Sequence, residues 1–71
     1  MAEHVYKVVE LVGTSKTGVT DAIQTAITRA GTTLRNLRWF EVAQIRGAVG
    51  NDGKVDHYQV TIKAGFTLEG E

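Results

Sequence analysis

The chain has no cysteine, no proline and no excess of charge, since eight basic residues are matched by eight acidic ones. Lack of cysteine excludes disulfides and thiolate metal sites. Zero formal charge argues against non-specific nucleic-acid binding, which draws most of its affinity from neutralising phosphates. No apolar run approaches the ~20 residues that a membrane-spanning helix needs. The opening MAEHVYK lacks the apolar stretch of a secretion signal, so a cytoplasmic protein with no membrane partner is expected. The two histidines, His4 and His57, lie at opposite ends of the sequence without ligand spacing. Seventy-one residues make room for a single domain, expected over residues 1–71. A domain of this size buries only about 60% of the surface its unfolded chain exposes. Disulfides, a metal or a partner subunit usually supply what is missing. With the first excluded and the second unsupported, self-association is the expected source of stability.

Within these bounds the sequence divides into four segments. His4 to Val12 is rich in Val and Tyr and stops at Gly13, as a strand would. Val19, Ala22, Ile23, Ala26, Ile27, Ala30, Leu34 and Leu37 recur at spacings of three and four, one apolar stripe along a helix. Ser15 precedes that stripe as its expected N-cap. Gly18 and Gly31 each cost the helix roughly 1 kcal/mol relative to Ala, so tertiary packing has to hold it. Trp39–Val49 and Val55–Leu68 read as two strands joined by Gly50-Asn51-Asp52-Gly53, residues that tolerate the positive φ of a tight hairpin. The fold expected is α+β in the order β-α-β-β.

Strand alternation assigns the faces. Tyr58, Val60, Ile62, Ala64, Phe66 and Leu68, joined by Phe40 and Val42, are expected against the helix. Trp39, Glu41, Ala43, Ile45, Gly47 and Val49 share the other face with His57, Gln59, Thr61, Lys63 and Gly65. One helix cannot cover both faces, and an uncovered apolar face marks an interface or a ligand site.

Catalytic signatures are lacking. There is no cysteine nucleophile and no G-x-S-x-G, and neither histidine has an evident partner for acid–base work. Gly13–Gly18 (GTSKTG) lacks the Lys-Ser/Thr that closes a phosphate loop and reads as a strand-to-helix turn. His57 reads as a solvated strand-end residue.

Trp39 and Gln59 are more informative. A hairpin centred near Asp52 sets Trp39 opposite Gly65 and Gln59 opposite Ile45. Both fall on the uncovered face, ~20 Å apart at 3.3 Å per residue, so one small ligand reaches both only where subunits meet. Spacing alone favours, by a little, Trp39 as an interface anchor and Gln59 as a solvated residue. Arg46 alternates away from Trp39 unless a bulge intervenes, and Gly47 is the expected place for one.

The runs Tyr6-Lys7, Glu10-Leu11-Val12-Gly13-Thr14-Ser15, Thr33-Leu34, Trp39-Phe40-Glu41-Val42, Ile45-Arg46-Gly47, Tyr58-Gln59-Val60 and Gly65-Phe66 together resemble the dodecin family over essentially the whole chain. The resemblance implies a three-stranded antiparallel sheet partly wrapped around one long helix, and twelve copies assembled as a hollow particle. It implies a flavin-binding storage, sequestration and photoprotection protein, not an enzyme, in which stacked flavins (FMN, riboflavin or FAD) lie between subunits. Carried over by motif, Trp39 is the stacking residue and Gln59 bonds the polar edge of the flavin. Arg46 is the candidate for its ribityl or phosphate end. Some members also bind coenzyme A, for which no residue here is assigned. Arg38 stands where many members carry an acid, and Thr67 where many carry a basic residue. The competing readings are a structural assembly module without a dedicated ligand and a flavin-dependent enzyme.

Overall fold

A computed structural model describes residues 3–68; the two residues before and the three after, the ends of the domain expected over 1–71, lie outside the described residues. The elements follow the order β1 (Tyr6–Ser15), α1 (Val19–Ala30), β2 (Leu37–Val49) and β3 (Val55–Thr67). The sheet is antiparallel throughout, with β3 in the centre and β1 and β2 at its sides.

Strand β1 runs three residues past Val12, so Gly13 lies within it and is buried. A Cβ on Gly13 would collide with the Ala22 carbonyl and press on Ala26. The absent side chain, together with Ala22, Ala26 and Ala30 on the buried helix face, brings α1 down onto the sheet backbone. Ala22 and Ala26 pack with Val60 and Ile62, and Leu11, Val19, Ile23 and Ile27 surround them. Val60, Ile62 and Ala64 are fully buried, which makes this small cluster the centre of the core.

The helix is shorter than the apolar spacing suggests. Its N-cap is Gly18, whose carbonyl accepts from the Ala22 N–H at 3.1 Å. Ser15 does accept N–H groups two and three residues on, from Thr17 at 2.9 Å and Gly18 at 3.3 Å, and it donates to Asp21 at 2.7 Å. It thus shapes the turn before the helix and ties that turn to the first helical turn, without being the cap itself. At the other end Gly31 stops the helix, and N–H groups of Gly31, Thr32, Thr33 and Leu34 fold back onto the carbonyls of Ile27, Arg29 and Ala30. The Thr32 hydroxyl donates to the Arg29 carbonyl as well, at 2.7 Å. Leu34 and Leu37 therefore fall outside α1, and Leu37 begins β2. Asn36, with φ of 66°, makes the left-handed step into that strand, a conformation asparagine tolerates better than most residues.

The hairpin turn forms where expected. Gly53 takes φ of 80°; Gly50 donates to the Lys54 carbonyl at 2.8 Å, and the Asp52 carboxylate accepts the Lys54 N–H at 3.0 Å. Trp39 pairs with Gly65 as expected, but an extra residue, Ala43, shifts the register between Val42 and Gln44. Such a bulge exchanges the faces of every residue beyond it. Ile45 accordingly pairs with Val60 on the helix side, and Arg46, not Ile45, stands opposite Gln59. Gly47 is in regular register with Tyr58, so the expected bulge lies four residues earlier.

Helix α1 packs on β1 and β3 and leaves much of β2 bare. Phe40 (48% exposed), Val42 and Ile45 (56%) face the helix side without cover. The molecule measures 56 × 20 × 14 Å with a radius of gyration of 14.7 Å, against about 11 Å for a compact chain of this length. The long hairpin extends beyond its own core.

Candidate functional site

The face of the sheet opposite α1 is built in rows that the register defines. One row is Val8, Gly65 and Trp39; beside it stand Tyr6 and Thr67. Gly65 is buried, and a Cβ there would overlap the indole of Trp39. The ring therefore lies directly on the sheet backbone, in the space that glycine leaves. Tyr6 meets it edge-on, with ring centroids 5.9 Å apart and planes at 69°, one of the arrangements aromatic pairs favour. Trp39 still exposes 40% of its surface. It is a flat aromatic platform fixed from below and from one side, open above.

Six residues along β3, about 20 Å away, the row Thr14, Gln59 and Arg46 crosses the same face. Because of the bulge at Ala43, Arg46 reaches Gln59: its Nε–H donates to Gln59 Oε1 at 2.8 Å. That bond turns the Gln59 amide so that its NH2 group can donate elsewhere, and it leaves the terminal guanidinium nitrogens of Arg46 for another acceptor. The sequence reading set Arg46 on the opposite face; the bulge corrects this. Trp39, Gln59 and Arg46 thus all share one face, but only Gln59 and Arg46 touch. Arg38 is an extra residue in β2, out of register between Leu37 and Trp39, and Thr67 is buried against the end of the sheet.

The next row holds His57 and Ala48. His57 is half-buried, and its Nδ1 lies 2.8 Å from Asp56 Oδ2. Asp56 is the extra residue of a third irregularity in register, opposite Ala48 and Val49. The His57 ring beside it, and then Lys16, hold the Asp56 carboxyl below its ordinary value. The solvated His57 of the sequence reading is therefore a partnered one. The hairpin register expected from the sequence already sets Gly65 opposite Trp39; the part of Tyr6 comes only with the pairing of β1 against β3, which brings it beside that row.

Among the described residues no group of three or more His, Cys, Asp or Glu could hold a metal ion. No described helix is long and apolar enough to cross a membrane.

The family model described as Dodecin matches residues 5–69. The chain belongs to the dodecin family. A dodecin of Thermus thermophilus is 58% identical over 65 residues, which cover 92% of this chain and 93% of the relative. Among solved structures, the dodecin of Streptomyces coelicolor superposes with a TM-score of 0.91 at 52% identity and full coverage of both chains. That of Streptomyces davaonensis gives 0.89 at 51% identity, covering 96% of this chain and 98% of its own. The β-α-β-β order and the three-stranded antiparallel sheet are those of the dodecin fold. A dodecin is generally a binding protein rather than an enzyme.

Proposed function

We propose that the chain is a flavin-binding storage and sequestration protein, with Trp39 as the stacking wall and Gln59 reading the polar edge of the isoalloxazine. The observation that carries this reading is the indole held flat over Gly65 with its outer surface exposed. A tryptophan that served only its own chain's core would be covered by that chain, whereas this ring is left to a ligand or a neighbouring subunit. Offset stacking on such a surface is worth roughly 0.5–1.5 kcal/mol beyond area burial for each aromatic pair. The Gln59 amide, held by Arg46, offers a donor to a ring carbonyl, and Arg46 retains further donors for the ribityl or phosphate end.

The separation of about 20 Å between Trp39 and Gln59 means that one chain does not supply both contacts to one flavin. The site is completed between subunits, which the bare apolar side of β2 also favours, and twelve chains in a hollow particle is the assembly the family membership supports. A flavin between two indoles has little room for a substrate, so the function is binding, not catalysis. Electron transfer from a stacked tryptophan to the excited flavin would quench its photochemistry, giving photoprotection. FMN, riboflavin and FAD share the ring that these residues address. A cytoplasmic location suits this role.

Titration of riboflavin by fluorescence quenching tests the proposal. The protein should quench riboflavin stoichiometrically, and Trp39→Ala should abolish most of the affinity while the assembly keeps its mass. Quenching by Trp39→Ala at wild-type affinity would overturn the stacking role. An assembled protein that binds no flavin would favour a purely structural module.

A further inference from the structure

Beyond the Gln59 row, the uncovered face ends in a shallow, open cleft of about 400 Å³ lined by Thr14, Ser15, Lys16 and His57. Its groups come from two elements that the register brings side by side. Thr14 pairs with Gln59, and Ser15 with Tyr58, so the chain delivers Lys16 next to His57 as it leaves β1. The cleft therefore borders the row that holds Gln59 and Arg46, about one same-face step of 6–7 Å away.

The charged groups at this end are of both signs, Lys16 and Arg46 against Asp56 and Asp21, and what differs is which of them are already engaged. Lys16 and Arg46 are exposed cations. The carboxylate beside them, Asp56, is already engaged by His57 Nδ1 at 2.8 Å, and Asp21 accepts from Ser15 on the helix side. With Nδ1–H donating to Asp56, the ring keeps Nε2 for a second partner, and a protonated ring donates from both nitrogens. Lys16 lies near enough to Asp56 to favour its ionised form. A hydroxyl, an ammonium and, in the protonated ring, an imidazolium Nε2–H around one concavity form a donor set for an anion with several acceptor oxygens.

Resting on the flavin reading of Gln59, we propose that Thr14, Lys16 and His57 form an anion subsite that receives the phosphate of a flavin mononucleotide whose ring is read at Gln59. Arg46, in the row of Gln59 itself, fixes the Gln59 amide and reaches the same phosphate from its other side. The subsite is open to solvent, so its contribution is modest and screened by salt.

The experiment is a pair of titrations, riboflavin and its monophosphate, on wild type, Lys16→Gln, Lys16→Arg and His57→Gln, at low and high ionic strength. The ratio of the two affinities cancels changes in stacking. Wild type should favour the monophosphate about five- to tenfold at low salt. That preference should collapse toward one in Lys16→Gln, return in Lys16→Arg, fall in His57→Gln and shrink in high salt for the wild type. Riboflavin affinity should stay at the wild-type value in every variant. An unchanged ratio in Lys16→Gln, with riboflavin still bound, would overturn the subsite and leave the stacking site standing. Loss of riboflavin binding and of assembled mass in Lys16→Gln would mean that Lys16 serves a subunit contact, which overturns it too. Failure of wild type to bind either flavin would remove the reading beneath it.

Discussion

Gly65→Ala perturbs the flavin site without touching a residue that would contact flavin. Gly65 has no left-handed φ, so alanine suits the backbone, and the substitution restricts the unfolded chain, which by itself stabilises by about 0.4–1 kcal/mol. The cost falls on Trp39: the new methyl would occupy the volume of indole atoms Cδ2, Cε2 and Cζ2. The ring has to swing off the sheet, away from its edge contact with Tyr6. An off-rotamer side chain costs roughly 0.5–1.5 kcal/mol, and a misplaced platform forfeits a stacking term of about the same size. Together these weaken flavin binding by about 1–3 kcal/mol, or roughly 5- to 150-fold. Riboflavin fluorescence titration measures the loss, and light scattering on the same samples shows whether the assembly persists. Wild-type affinity in Gly65→Ala would refute the placement of the indole as the determinant of binding.

Gly13→Ala acts on the core instead, because its Cβ meets the Ala22 backbone. Overpacking of this kind costs about 1–3 kcal/mol, so thermal unfolding should show a lower midpoint and an undisturbed one would contradict the close helix–sheet contact. Gln59→Ala should weaken flavin about 2- to 10-fold, the worth of one neutral hydrogen bond of about 0.5–1.5 kcal/mol, and a loss as large as that of Trp39→Ala would reverse their ranking. In His57→Gln the Asp56 carboxyl should titrate closer to an ordinary aspartate near 3.9, as carbon-detected NMR can follow. The folded-state value is the lowered one, so the linked stability is present above the unfolded-state value and is lost as pH falls through the folded one.

Much of this architecture could be read from residue order. Alternating Val and Tyr, the Gly50–Gly53 turn and the helix stripe placed all four elements, and the turn set Trp39 opposite Gly65. What escaped has specific causes. Ala43 carries no mark of a bulge, yet one extra residue exchanges the faces of Ile45 and Arg46 and so decides which of them meets Gln59. Leu34 and Leu37 continue the helical spacing by coincidence, after Gly31 and two threonines have ended the helix. The Asp56–His57 contact is invisible to alternation, which sends neighbours to opposite faces; it exists because Asp56 is itself out of register. The Arg46–Gln59 bond depends on the displacement at Ala43 and was out of reach for that reason.

The central claim is a flavin site that exists only between subunits, and native mass spectrometry of the protein with riboflavin tests it most directly. The expected spectrum shows one closed assembly of twelve 7.7 kDa chains, with flavin retained in it and released from Trp39→Ala assemblies of the same mass. A monomer of 7.7 kDa that carries flavin, or an assembly that retains none, would contradict it.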